Sequence, residues 1–104
     1  MDNAIVFKLR KLILSEELSR EAALPLRLQI EQIWDNTEQI TIDFNSLGLL
    51  TLSYLDELIG KLFLIYRKED VMKKLVIKGL SEGNRQLLGN IVTDRIRKQK
   101  ELSI

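Results

Sequence analysis

The chain has 104 residues, 45% of them apolar and 30% charged, with 16 basic residues against 15 acidic ones. That is enough for one hydrophobic core and too little for two, and so even a balance gives no overall field for nucleic acid or a membrane surface; either role would need a local basic face. Cys and His are both absent, which excludes disulfides, thiolate catalysis, Cys/His zinc or haem ligation, and every triad or acid–base step that needs imidazole.

Met1-Asp2-Asn3-Ala4 puts an acid where a secretory leader carries basic residues, and Lys8, Arg10 and Lys11 interrupt the apolar run that follows. No window approaches the ~20 uninterrupted apolar residues of a membrane span. A cytoplasmic protein is expected.

In Ala4 to Leu14, Ile5, Phe7 and Leu9 alternate with Val6, Lys8 and Arg10, the pattern of a strand with one wet edge. A bend near Lys11 would open a second short strand, Leu12 to Leu14. Leu24 and Leu28 then share one row with Leu26, Ile30, Ile33 and Trp34 on a neighbouring row, which predicts a helix ending near Trp34. Ser15 and Ser19 are alternative starts. Pro25, which removes a donor and pushes Leu24 off helical dihedrals, implies a start close to it or a kink there.

Gln39 to Phe44 alternates again, with Ile40, Ile42 and Phe44 on one side and Thr41 and Asp43 on the other, and Asn45-Ser46-Leu47-Gly48 breaks it. From Ser53 the period becomes helical: Leu55, Ile59, Leu62, Phe63 and Tyr66 form a stripe, with Ser53 as the expected N-cap. Arg67 to Asp70 reads as a charged turn. Lys74 to Ile77, short and rich in branched residues, reads as a buried strand. Ser81 caps a last helix striped by Leu87, Leu88, Ile91 and Val92, and the basic end, 97–104, is expected to fray.

The order strand, candidate strand, helix, strand, helix, strand, helix describes one α/β domain. Right-handed crossovers make the Gln39 and Lys74 strands parallel, so the loops after them share one edge of the sheet, where open α/β sheets bind ligands and partners. That edge holds Asn45 to Ser53 and Gly79 to Gly83.

Several motifs carry little. Gly60-Lys61 has the ending of a phosphate loop but lies inside a helix, with Leu at positions 55 and 62. Gly79 to Gly83 follows a strand and opens a helix, where free N–H groups suit an anion, although a capped turn explains it as well. Asp43, Asp56 and Glu57 are the acids near the edge; the last two, consecutive on an α-helix, diverge by about 100°, so at least one is expected in solvent. Arg95, Arg97, Lys98 and Lys100 are spread round their helix and suit its negative end.

Three stretches together, Ser19-Arg20-Glu21-Ala22, Ile42-Asp43-Phe44 and Ser53-Tyr54-Leu55-Asp56-Glu57-Leu58, resemble the small bacterial STAS-like domains, relatives of the anti-sigma-factor antagonists. The likeness runs from about Leu14 to Ile96. It implies a STAS-like mixed sheet of about four strands with three main helices over residues 1–104, and a non-catalytic role in signal transduction. The wider superfamily binds anti-sigma factors or kinases with a histidine-kinase-type ATPase fold. These phosphorylate a serine or threonine at the start of the helix after the central strand, where Ser53 falls, with Thr51 ahead of it. Phosphorylated antagonists carry Asp-Ser-Ser-Gly there; this chain has Thr51-Leu52-Ser53-Tyr54, and a structural cap at Ser53 is the alternative.

The docking edge is expected to run from Leu47 to Asp56, extended by Gly79 to Asn84, with Ser46, Leu47, Gly48, Thr51, Ser53, Tyr54, Asp56, Glu57, Gly79 and Ser81 as partner-binding residues, receiving a protein without a cofactor or metal; a homodimer is a further candidate. The alternative is a nucleic-acid-associated protein using Lys8, Arg10, Lys11 and the Arg95 to Lys100 tail.

Overall fold

The computed structural model describes residues 3–12 and 19–102. Three parallel strands, β1 (Ala4–Lys8), β2 (Gln39–Asp43) and β3 (Leu75–Lys78), lie in the order β1-β2-β3 with β2 central. The register aligns Ile5 with Ile40 and Leu75, and Phe7 with Ile42 and Ile77, so one face of the sheet is continuously apolar. Ile40 and Ile42 are fully buried there, in the same core as Leu26, Ile30, Leu58, Leu62 and Ile91 from the helices. Because both connections must be right-handed, they return over this one face and make a two-layer molecule.

Among the described residues the sheet is thus three-stranded and wholly parallel, where about four mixed strands were expected. The first strand ends at Lys8 and passes directly into α1 (Leu9–Leu12). Leu9 turns into the core instead of continuing the alternation. Of the expected second strand, Leu12 is helical and residues 13–14 lie outside the described residues.

Helix α2 (Arg20–Ile33) begins well before Pro25 and carries it inside. Ser19 makes the early start: its hydroxyl accepts from the Ala22 N–H at 3.2 Å, satisfying one of the open donors of the first turn. The helix closes in a 3₁₀ turn, Trp34–Asn36.

The rod expected from Ser53 to Tyr66 is present but not uniform. It runs as α3 (Leu52–Leu55), a π-turn (Asp56–Gly60) and α4 (Leu62–Ile65). Its cap is Thr51, not Ser53: Thr51 has the extended backbone a cap needs, and its hydroxyl accepts from Tyr54 N–H at 3.1 Å. The π-turn is closed by Lys61 N–H to Asp56 O at 2.9 Å, one residue wider than an α-turn.

The charged stretch after Arg67 is a helix, α5 (Lys68–Lys74), rather than a turn. Glu69 and Asp70 sit at its positive end and Lys73 and Lys74 at its negative end. With Val71 as its buried residue, it carries no apolar stripe for periodicity to detect. Helix α6 (Glu82–Leu102) starts, as expected, at Ser81, whose hydroxyl accepts from Asn84 N–H. It runs as one helix to Leu102. Helix α2 and the rod run side by side, from the Arg20–Asp56 ion pair to a stacked Trp34–Tyr66 pair with centroids 4.1 Å apart.

Candidate functional site

The parallel strands bring the loops after Asp43 and Lys78 to one edge, and the backbone ties them together: Phe44 N–H donates to Lys78 O at 2.8 Å. Asp43 then turns the chain. Its Oδ1 accepts from Asn45 N–H at 2.8 Å and from the Asn45 side-chain amide at 2.7 Å. The Asn45 backbone N–H, helped by Lys78 and Lys8 on the neighbouring strands, holds the Asp43 carboxyl below the usual carboxylate range. Ser46 follows in the left-handed region at φ +68°. Gly79, at φ +74°, packs so closely on Asn45 that a Cβ would lie 2.5 Å from Asn45 Cγ.

Asn84 joins the loop to α6. It is 1% exposed; its Oδ1 accepts from Leu50 N–H at 2.9 Å and its Nδ2 donates to Gly48 O at 3.1 Å. One amide thereby satisfies two backbone groups on either side of Leu49. Gly83 leaves room beside the Leu49 side chain, 3.2 Å from where a Cβ would stand. The consequence is an anchored loop from which two leucines project into solvent, Leu49 at 73% and Leu52 at 55% exposure.

Beneath this rim the π-turn directs two consecutive carboxylates inward. Asp56 is 5% and Glu57 2% exposed. Asp56 accepts from Arg95 Nε at 2.8 Å and Arg20 Nη1 at 3.0 Å, and Glu57 accepts from Arg27 Nη2 at 2.8 Å and Lys61 Nζ at 2.8 Å. Arg20 also reaches Glu57, and Arg27 pairs with Glu31. Burial raises both carboxyl groups. The hydrogen bonds from Arg95 and Arg20 outweigh it at Asp56, and those from Lys61, Arg27 and Arg20 at Glu57, so both lie below their ordinary values. Gly60 fits this packing because a Cβ would stand 2.5 Å from Asp56 Oδ1 and 2.6 Å from Ile91 Cγ2. It is a packing glycine, with no relation to phosphate.

Ser46, Gly48, Thr51, Gly79 and Ser81 are exposed on the rim, and Leu47 and Ser53 are half-buried within it. Three expected surface residues are not surface. Asp56 and Glu57 are spent on internal ion pairs, and Tyr54 is 1% exposed, with burial pushing its phenol up to about 12. The expectation of a solvated acid assumed α-helical spacing, which the π-turn replaces. Arg95 is likewise drawn from the basic tail to Asp56. Sequence reasoning placed Leu49 and Asn84 on the docking edge and Arg20 in a family motif, but it foresaw neither the Asn84 clamp nor the ion pairs of Arg20 and Arg27. The match of Arg20, Arg27 and Arg95 with the two deep acids becomes visible only when the helices are paired. Among the described residues, acids form no group that could hold a metal ion, and no helix is long and apolar enough to cross a membrane.

A family model described as a STAS-like domain of unknown function (DUF4325) matches residues 22–85, more than half of the chain. The chain belongs to this family. No curated protein and no solved structure matches it. The match to the STAS-like model runs from the first turn of α2 to the first turn of α6, so it includes both rim loops, Asn84 and the two inward carboxylates, while β1 and Arg95 lie outside it.

Proposed function

We propose that this STAS-like domain acts by binding and not by catalysis, as a regulatory module whose rim docks another protein. In the manner of the wider superfamily the partner is an ATPase-type kinase or an anti-sigma factor of a bacterial cytoplasm. The observation that carries the reading is the pair of exposed leucines, Leu49 and Leu52, on a loop fixed by Asn84 and Gly79. Large apolar side chains held out on a rigid frame are the usual anchors of a protein interface.

Phosphorylation would regulate such docking. Thr51 is exposed at the N-cap and Ser53 is half-buried in the first turn of the rod. A phosphate at either position adds about −1.5 to −2 charge beside Leu52, desolvation of which would oppose a dry interface. Incubation with the partner kinase and ATP, followed by mass spectrometry, is expected to find the phosphate on one of these two residues; unmodified Thr51 and Ser53 under turnover would remove this part of the reading.

The docking itself is tested by affinity capture from the source cells with the wild-type chain, Leu49→Ser/Leu52→Ser, and Leu24→Ser/Leu28→Ser. The second pair is also exposed, on α2. A partner lost with the first double variant and kept with the second supports the rim. Equal retention or equal loss in both would reject it.

A further inference from the structure

Resting on the docking reading, the charges around the rim define what kind of segment it receives. We infer that the partner presents an acidic segment with at least one large apolar side chain, the apolar group covering Leu49 and Leu52 and the acids meeting cations on four elements.

Arg10 of α1 donates from Nη1 to Ser46 O at 3.0 Å, which lays its guanidinium along the β2–α3 loop itself. Lys8 and Lys78 end the two outer strands in register with Asp43. Arg85 stands exposed in the first turn of α6, directly after the Asn84 clamp. Among the described residues, the acids at this end are Asp43, Glu82 and Glu21, and the Asp43 carboxylate is already occupied by two N–H donors from Asn45.

The buried carboxylates do not reverse this balance, since Asp56 and Glu57 face Arg20, Arg27, Lys61 and Arg95. The N-terminal ends of α2, the rod and α6 meet at this edge, joined by the Arg20–Asp56 pair and the Asn84–Leu50 bond, and their dipoles add positive potential. Apolar anchors within a cationic rim favour an acidic partner through faster encounter and rejection of basic surfaces. A phosphate on Thr51 would offset about two of these positive charges, turning the rim against the same partner.

The test selects a random peptide library on the full chain and measures the recovered peptides by fluorescence anisotropy at low and physiological salt. The expected peptides combine Asp or Glu with Leu, Ile, Met or Phe. Their affinity should fall on the order of tenfold in Lys78→Glu/Arg85→Glu and weaken with salt. It should vanish in Leu49→Ser/Leu52→Ser and be unchanged in Lys98→Glu, with the fold of each variant checked by its thermal melt. Peptides without acidic enrichment that still need Leu49 and Leu52 would overturn the acidic partner and leave rim docking standing. Peptides indifferent to both leucines, or no enrichment at all, would overturn the two together.

Discussion

At Gly79 the chain leaves β3 with φ +74° and its α-carbon faces Asn45 with no room for a Cβ. Alanine there meets a left-handed backbone and a clash with backbone as well as side chain, so Gly79→Ala is expected to cost about 2 kcal/mol or more by chemical denaturation. Asn84→Ala would leave the buried Leu50 N–H unsatisfied and remove the partner of Gly48 O, for about 2 kcal/mol, and would loosen Leu49. Tyr54 behaves in the opposite way. Its hydroxyl is buried with no hydrogen-bond partner, so Tyr54→Phe should be neutral or stabilising by up to about 1 kcal/mol. The raised phenol pKa gives the same variant a second signature. In the wild type this group favours folding below pH 10, its ordinary value, and that contribution is lost as pH rises towards about 12; Tyr54→Phe should lose this part of the alkaline destabilisation. Of these three residues, the sequence marked Gly79 as a turn and Tyr54 as a surface contact. It placed Asn84 at the end of the docking edge but not as a clamp, because an amide in a first helical turn looks the same whether it faces water or holds a loop.

Among the elements, the π-turn decides most. It places Asp56 against Arg95 and Arg20, and Glu57 against Arg27 and Lys61, so that three separate helical segments are held by ionic hydrogen bonds under the rim. Removing one buried partner leaves the others uncompensated, and Asp56→Ala is expected to destabilise by about 3 kcal/mol, with Arg95→Met milder because it removes a cation that retains some solvent. The pH dependence follows in sign. Both carboxyl groups have folded values below their ordinary 3.8 and 4.5, so their stabilisation is complete above those values and is lost as pH falls through the lower folded ones. A urea midpoint that holds from neutral pH down to about 5 and falls steeply below 4 is expected, with a shallower fall in Asp56→Asn. The sequence pattern predicted a rod here and found its apolar stripe. Its internal widening was invisible, since nothing in Asp56-Glu57-Leu58-Ile59-Gly60 distinguishes a π-turn from an α-turn until Gly60 is seen packed on Ile91. Helix α5 escaped for a simpler reason: with one buried residue, Val71, it has charge order but no periodicity.

For the molecule as a whole, a layer of helices on one face of a parallel sheet sends every strand–helix loop to the same edge, and this is what makes a rim. Leu49 and Leu52 contribute little to the core from that position. Leu49→Ser/Leu52→Ser should therefore change thermal stability by only about 0.5 kcal/mol while removing docking, a separation that a core substitution such as Ile42→Ser would not show. The three observed strands and the main helical stretches between and after them, the parallel pairing of β2 with β3 and the edge that carries the rim followed from alternation, helical period and the handedness of crossovers. These are local or topological rules, and each residue announces its part in them. The inward turn of Asp56 and Glu57, the burial of Tyr54, the switch of cap from Ser53 to Thr51 and the clamp by Asn84 depended on which helix packs on which. Burial and ion pairing are properties of residue pairs distant in the chain, and no single stretch of sequence contains both partners.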